Sequence, residues 1–292
     1  MRTGKLNRDK RQNGTDARQM GTSINRSRFS ATLIMLKLPA LLFCAASCLS
    51  SPGPAQGAEE EKYIGLGTRG RPDYEGADSS RGEVIPYLRL YGDHLFARTT
   101  QGMLEGGWRT RSYGAWVFGA QVAYEDGRVT DDSAFLKDHH FENLDPGASF
   151  GVHAEGDWKI AAMPLNALIR YRQNIDSDQG AQADLRLTAG ILSRWGVEAG
   201  VFGQLTWANG KSMQSYFGIT PSQSAVTGLP EYSAGSGPRY VQFGVLGSVN
   251  LSEHWLLPWG ASMRWLQGDA GNSPITQDRN NWYVNAGIAY RF

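Results

Sequence analysis

A short acidic segment near residue 75 has the residue types of a cation site. Asp73, Glu75 and Asp78 lie within six residues of one another, and carboxylate oxygens are the ligands that Ca²⁺ and Mg²⁺ prefer. Pro72 and Gly76 frame the same segment, and both residue types favour tight turns. We therefore favour a turn whose acidic side chains face water over a cation site.

A second candidate for metal binding is the pair His139 and His140, with Asp131, Asp132 and Asp138 nearby in the sequence. Imidazole and carboxylate groups bind zinc, but protein zinc sites have characteristic ligand spacings. These residues show no such spacing and lie in a long polar segment. Incidental loop composition is the favoured interpretation, so neither a metal nor a cofactor is predicted.

Charged side chains also recur at alternate positions within apolar segments. Arg170 and Arg172 share one face of their segment, as do Asp184 and Arg186. A charge removed from water is stable only when it is paired, so opposite signs on neighbouring strands predict ion pairs inside a closed sheet. The alternative is a path lined for small solutes. The full set of candidate lumen charges is Glu155, Asp157, Arg170, Arg172, Asp184, Arg186, Glu198 and Arg264.

The elements that carry these charges are predicted to be β-strands. In RYVQFGVLGSVNL, residues 239–251, Val241 and Phe243 alternate with polar or small residues, which is typical of a strand with one apolar face. Most of the predicted strands are long enough to cross a bilayer at a tilt. Aromatic residues such as Trp195 and Trp207 stand at strand ends, as in interfacial girdles. The sequence therefore predicts an all-β fold, an antiparallel transmembrane β-barrel.

The predicted connections alternate in length. Long ones at 125–147 and 208–238 fall on one side and tight turns such as 193–194 on the other, as in bacterial outer-membrane barrels. About twelve strands are predicted, and ten remain an alternative because one bent strand would also fit 93–109. Twelve strands leave a narrow interior, which favours paired lumen charges over an open path. The predicted strands are 62–70, 83–91, 93–98, 102–109, 112–124, 148–159, 164–174, 181–192, 195–207, 239–249, 254–267 and 281–292.

The beginning of the chain differs from the rest in composition. After Met35 come a lysine, an apolar stretch over 38–49 and a tail of small residues, which is the pattern of a secretory signal peptide. We predict a leader that includes a Sec signal peptide over residues 1–58, with Met35 as an alternative start. The barrel is predicted over residues 59–292.

The composition of the predicted mature chain excludes two classes of protein. Cys44 and Cys48 both lie in the leader, which excludes a disulfide scaffold. The leader also holds nine of the 29 Lys and Arg residues and two of the 28 Asp and Glu residues, which leaves 20 basic and 26 acidic residues and a net charge of −6. A basic surface for nucleic acid is therefore not expected, and no nucleic-acid partner is predicted.

The last predicted strand, NWYVNAGIAYRF at 281–292, keeps its alternation up to Phe292. Pairing of this strand with the first one would remove both open edges of the sheet. Alternating apolar residues that end in an aromatic residue resemble the signal read by the outer-membrane assembly machinery. Ile288, Tyr290 and Phe292 are predicted to form this signal, with the assembly machinery and the lipid bilayer as partners.

A hydrolase is the enzymatic alternative for such a barrel. Outer-membrane phospholipase A uses a histidine and a serine on its lipid-facing wall. Here His153 and His254 fall on the lumen face, and His94 begins a strand beside a short turn. The sequence therefore predicts a protein without enzymatic activity.

Three segments carry a family resemblance. GLGTRGRPDYEGAD at 65–78, LQGDAGNSPIT at 266–276 and the final GIAYRF resemble the MipA/OmpV family, over most of residues 62–292. The resemblance implies a barrel of the bacterial outer membrane. It also implies scaffolding of murein-synthesising and murein-cleaving enzymes, with adhesion or envelope stress as further roles in some bacteria. The resemblance implies no active-site residues that could be assigned in this sequence.

The functional expectation combines these observations. We expect a non-enzymatic outer-membrane barrel that docks envelope partners, with murein hydrolases or synthases as candidate partners. A narrow channel for small solutes and a surface adhesin are the alternatives.

Overall fold

Residues 62–292 are described by the structure, a computed structural model, and they form a closed antiparallel barrel of twelve strands in sequential order. The predicted twelve-stranded barrel is therefore confirmed, whereas the predicted leader, residues 1–58, lies outside the described residues. The strands are β1 (Tyr63–Pro72), β2 (Ser80–Tyr91), β3 (Leu95–Thr100), β4 (Met103–Arg109), β5 (Trp116–Glu125), β6 (Gly147–Ile160), β7 (Met163–Asn174), β8 (Ala181–Arg194), β9 (Val197–Ala208), β10 (Gly237–Asn250), β11 (Trp255–Leu266) and β12 (Asn280–Arg291).

Connections of unequal length separate the two ends of the barrel. The longer ones, including 126–146, 209–236 and 267–279, all lie at one end, which we call the outer end because outer-membrane barrels carry their long loops there. The turns at the opposite, inner end include 161–162 and 195–196.

The outer connections contain short helices. They are the four α-helices α1 (Ala134–Asp138), α2 (Gly210–Phe217), α3 (Pro221–Thr227) and α4 (Gly268–Asn272), and two 3₁₀ turns at Thr130–Asp132 and Ser177–Gln179. Among the described residues, no helix has the length and apolarity needed to span a membrane.

The barrel wall separates apolar from polar side chains by strand alternation. On β10, Phe243 is 56% exposed on the outer surface, whereas its neighbour Gln242 is 1% exposed and points into the lumen. On β12, Trp282, Val284 and Ile288 are all exposed on the outer surface. An apolar outer band with a polar interior is the arrangement that a lipid environment requires.

Some strands begin later than predicted, because residues predicted to start the strand belong to the preceding turn. Trp195 was predicted to begin a strand, but it lies in the 195–196 turn with a φ of 57°. The strand predicted to begin at residue 112 begins at Trp116, because Tyr113 and Trp116 exchange two backbone hydrogen bonds around Gly114. The alternation fixes the face of each residue but not the residue at which a turn begins.

The ambiguous region 93–109 forms two short strands that leave a gap in the wall. Gln101 and Gly102, at φ values of 55° and 85°, make the tight turn between β3 and β4, as hairpins with two left-handed residues do. Residues 89–91 of β2 pair with 96–98 of β3, and Thr99 Oγ1 then donates to Pro86 O at 2.8 Å. Residues 80–85 of β2 therefore have no partner on this side among the described strands. We call the gap between 80–85, the 101–102 turn and the end of β5 the notch.

Candidate functional site

A buried carboxylate on β4 organises one side of the lumen. The Glu105 side chain is fully buried and accepts hydrogen bonds from Arg98 Nε at 2.6 Å, Gln121 Nε2 at 2.8 Å and Arg170 Nη1 at 2.7 Å. Arg98 is the direct cross-strand partner of Glu105, whereas Arg170 reaches it from β7. Glu105 therefore ties the short β3–β4 hairpin to β7, three strands further around the barrel.

Asp184 on β8 is the second buried carboxylate of the lumen. It accepts from Arg170 Nε at 2.9 Å, Arg172 Nη2 at 3.1 Å and Thr206 Oγ1 at 2.8 Å. Arg170 thus bridges Asp184 and Glu105, and Arg172 also forms an ion pair with Glu125 on β5. Such hydrogen-bonded pairing is what makes buried charges tolerable.

The structure places the eight candidate lumen charges at two depths. Arg98 donates to Glu155 Oε1 at 2.6 Å inside the lumen. Arg264 donates to Gln242 Oε1 at 3.1 Å, and Arg186 lies 4.2 Å from the ring centroid of Phe202. The candidates in the interior are Glu155, Arg170, Arg172, Asp184, Arg186 and Arg264, and those exposed at the inner rim are Asp157 and Glu198.

Sequence reasoning did not select several lumen residues. Arg69 donates to Glu83 Oε1 at 2.5 Å and to Asp126 Oδ2 at 2.9 Å, and Arg71 donates to Glu83 Oε2 at 2.9 Å. Glu105 was also missed, although its spacing from Arg98 suits facing positions of a hairpin with a 101–102 turn. The pairing of Glu105 with Arg98 was not predicted, because the bounds of the two strands around the 101–102 turn are ambiguous in the sequence.

Glycines in the lumen make room for aromatic rings. A Cβ atom on Gly67 or Gly287 would lie 2.4 Å or 2.6 Å from Tyr87 Cε2, and one on Gly244 would lie 2.6 Å from Phe202 Cε1. The Tyr87 hydroxyl group donates to Asn285 Oδ1 at 2.5 Å. Side chains therefore fill the lumen instead of leaving a wide passage.

The acidic segment after β1 folds into the outer mouth, so the expectation that its acids face water is wrong for Asp73 and Glu75, whereas Asp78 is exposed. Asp73 is buried and accepts from Ser79 Oγ at 2.5 Å. Glu75 pairs with the buried Arg239, whose Nε donates to it at 2.9 Å. Tyr74 is 2% exposed and donates to Ile275 O at 2.9 Å. Because the Tyr74 ring is buried, its sequence neighbours Asp73 and Glu75 also lie inside the protein.

The outer connections pack together into a lid over the mouth of the barrel. Ser273 donates to Phe217 O at 2.6 Å, and Tyr216 donates to Asp126 O at 3.0 Å. Burial raises the pKa of Tyr216 to about 12. The lid contains two apolar clusters, one of Ala208, Met213, Tyr216, Phe217, Ala234, Tyr240, Leu266 and Ala270, the other of Tyr74, Ala77, Leu136, Phe141, Ile219 and Ile275.

The histidine pair lies in this lid. His139 Nδ1 is 2.9 Å from Phe135 O, and His140 has a φ of 53°. Within residues 62–292, no group of three or more His, Cys, Asp or Glu side chains is arranged to hold a metal ion.

The three residues of the predicted assembly signal lie on the outer surface of β12. Ile288, Tyr290 and Phe292 are exposed there, and Tyr290 makes an edge-to-face contact with Trp255 at 5.3 Å between ring centroids. The backbone N–H of Phe292 donates to Lys62 O at 3.2 Å. The three side chains thus stand at the inner end of the seam between the first and last strands.

The closed barrel, its apolar outer band and its charged, filled lumen define a protein of the bacterial outer membrane. Residues 64–292 match the family model described as MltA-interacting protein MipA, so the chain belongs to the MipA family. No curated protein matches this sequence.

Several solved outer-membrane barrels resemble the chain at low identity. The COG4313 outer membrane channel from Pseudomonas putida F1 has a TM-score of 0.48 and 11% identity, over 82% of this chain and 99% of that one. LpxR from Salmonella typhimurium has a TM-score of 0.43 and 7% identity, over 79% and 100%. The translocator domain of the autotransporter NalP from Neisseria meningitidis has a TM-score of 0.39 and 11% identity, over 82% and 91%. Similarity at this level says nothing about activity.

The change Asp184→Asn is expected to destabilise the barrel strongly. It removes the charge shared by Arg170 and Arg172, and breaking a buried ion pair on one side costs about 3–5 kcal/mol. The free energy of unfolding in lipid vesicles, from urea titration, measures the effect. Asp157→Asn is the control, because Asp157 is exposed at the inner rim and accepts from Asn166 at 3.0 Å. Equal losses in the two variants would contradict a central role for Asp184.

Proposed function

We propose that this protein is a non-enzymatic scaffold that docks murein-cleaving or murein-synthesising enzymes at the inner end of the barrel. The observation that carries the proposal is the match of residues 64–292 to a family described by its interaction with MltA. An inner docking surface follows from topology, because the murein layer lies on the periplasmic side of the outer membrane.

The state of the lumen supports a scaffold over a channel. The Glu105, Arg170 and Asp184 network crosses the interior, and the Tyr87 ring occupies space next to Gly67. The lid covers the outer mouth with two apolar clusters. A solute path would require both the network and the lid to move.

Exposed side chains at the inner turns offer contacts for a partner protein. Tyr113 and Trp195 are 82% and 80% exposed in the 110–115 and 195–196 turns. Arg194 stacks on the Trp195 ring at 4.2 Å. Tyrosine, tryptophan and arginine are the residue types that contribute most to binding hot spots, so these turns are the proposed docking surface.

The environments of the histidines on or beside the strands support the absence of an enzymatic role. His94 Nδ1 and His254 Nδ1 lie near the carbonyl oxygens of Arg109 and Arg291, at 3.1 Å and 3.3 Å. His153 is buried in the lumen, edge-to-face with Phe96 at 5.3 Å. These contacts bind the imidazoles to backbone and aromatic groups, whereas a hydrolytic site needs one beside a nucleophile.

Site-specific crosslinking tests the docking surface. A photo-crosslinking residue at Tyr113 or Trp195 should capture a murein hydrolase or synthase in intact cells, because both positions face the periplasm in this proposal. Val226, 61% exposed on α3 in the lid, is the matched control and should capture neither enzyme. Mass spectrometry identifies the crosslinked protein. Capture of murein enzymes from Val226 alone, or from none of these positions, would reject the inner docking surface.

Planar-bilayer recording separates the scaffold from the channel alternative. The purified barrel should give no stable current steps, because its charge network and lid fill the path for ions. A general porin inserted under the same conditions is the positive control. Reproducible steps that scale with the number of inserted barrels would support a solute channel instead.

We further propose that Ile288, Tyr290 and Phe292 are the handle for membrane assembly. Phe292→Asp should sharply lower the amount of folded protein in the outer membrane, because a charged group replaces the exposed aromatic ring at the seam. Trp282→Asp places the same charge on the same face at the outer end of β12 and should reduce this amount less. Immunoblots of outer-membrane fractions measure the levels. A Phe292→Asp protein at wild-type levels would exclude this role.

A further inference from the structure

A small cavity beneath the lid has seven arginines among its lining residues. Its volume is about 100 Å³, which is room for several waters or for one small polyatomic anion. Glu75, Glu125 and Asp126 are the acidic residues of its lining. In the described part of the chain, the arginines that line it are Arg69, Arg71, Arg128, Arg170, Arg172, Arg239 and Arg264.

The charges around this cavity do not balance within the described residues. Five of its seven arginines pair with six carboxylates, which belong to Glu75, Glu83, Glu105, Glu125, Asp126 and Asp184. Arg128 and Arg264 have no carboxylate at ion-pair distance among residues 62–292. An unpaired charge away from water is costly, so an anion in this cavity would stabilise the folded protein.

Arg128 is the clearest case, among the described residues, of a buried guanidinium group without a carboxylate partner. It is 5% exposed, and its Nη1 donates to Tyr216 O at 2.7 Å. Its Nε and the Nε of Arg172 have no hydrogen-bond partner in the part of the chain that the structure describes. Burial lowers the pKa of the Arg128 guanidinium, the direction expected for a buried cation without an anion beside it.

The cavity reaches the wall of the barrel beside the notch. Gln101 and Met103, at the end of the short hairpin, line the cavity, and so does Tyr124, which is 52% exposed on the outer surface of β5. Strand register places Gly82 beside Gly70, and Gly70 beside Val284. The notch therefore lies at the level of the outer half of the apolar band.

Asp126, which follows the end of β5 beside the notch, is already engaged. Burial opposes ionisation of Asp126, but the charges of Arg69 and Arg71 outweigh it and hold the pKa of this carboxyl below its ordinary value. Asp126 therefore stays ionised near neutral pH. It already pairs with the guanidinium groups of Arg69 and Arg71. Among the described residues, Arg128 and Arg264 have no carboxylate partner, and the Nε of Arg172 has no hydrogen-bond partner; Arg264 donates only to the neutral groups of Gln242 and Tyr283.

We propose that this cavity is a binding site for a phosphate group that enters through the notch. A phosphate presents several oxygens to donors from different directions, and guanidinium groups match it in charge and geometry. The phosphate belongs either to a lipid headgroup in the outer leaflet or to free inorganic phosphate. An opening in the membrane-facing wall favours the lipid headgroup.

Thermal unfolding of the full barrel in a neutral detergent tests the site. Inorganic phosphate should raise the unfolding temperature relative to chloride at equal ionic strength, in a concentration-dependent way. Arg128→Gln and Arg264→Gln should each weaken the apparent affinity about tenfold or more, because each removes a charge-assisted donor. Arg186→Gln is the matched control, since Arg186 stacks on Phe202 in the lumen and does not line the cavity.

A second arm distinguishes the two sources of the phosphate. A short-chain phosphatidic acid added to the same micelles should act at lower concentration than inorganic phosphate if a lipid enters through the notch. Equal potency would indicate free phosphate, and phosphatidylcholine serves as the zwitterionic control.

Two outcomes overturn the proposal. In the first, neither phosphate compound raises the unfolding temperature of the wild-type barrel. In the second, Arg186→Gln loses the response as fully as Arg264→Gln, which would show general charge screening. If Arg128→Gln fails to fold because it loosens the lid, Arg264→Gln alone decides the question, since its side chain projects from the β11 wall. The crosslinking test of the docking surface does not depend on phosphate binding, so the two proposals can fail separately.

Discussion

The pairing of buried arginines with buried carboxylates inside a narrow barrel is the interaction on which this structure depends. A lipid environment forces the apolar side chains outward, so polar residues of twelve strands must share one small interior. Charges there are stable only with partners at hydrogen-bond distance. Arg170 on β7 meets this requirement by joining Glu105 on β4 to Asp184 on β8. The network therefore links strands that are not neighbours in the sheet.

The same constraint explains why the ends of the barrel differ. At the outer end, the lid buries Tyr74 and Phe217, and its acids serve as partners for arginines at the mouth, as Glu75 does for Arg239. At the inner end the turns are short, and they leave side chains such as Trp195 exposed to the periplasm. A filled interior beneath a covered outer mouth supports the proposed scaffold over the channel alternative.

The short β3–β4 hairpin is the exception to this closed design. Its turn at 101–102 lies partway up the wall, so β2 loses a neighbour over 80–85. Arg69 donates to Gln101 O at 3.1 Å, which anchors the hairpin tip to the lumen network. Beside this gap lies the cavity where guanidinium groups outnumber their carboxylate partners. The local break in the wall and the local excess of positive charge thus occur at the same place.

The sequence by itself determined the barrel and the face of most strand residues, because alternation with period two is a local property that lipid on one side imposes. It left ten or twelve strands open, because one bent strand would also fit 93–109. It also identified Arg170, Arg172 and Asp184, since charges within apolar strands are conspicuous. The tertiary structure alone decided which charges pair. Glu105 and Arg170 are 65 residues apart, and no local pattern encodes a contact across the lumen. The lid was likewise beyond the sequence, because Asp73 and Glu75 have the composition of an exposed turn and are buried only where distant connections converge on Tyr74.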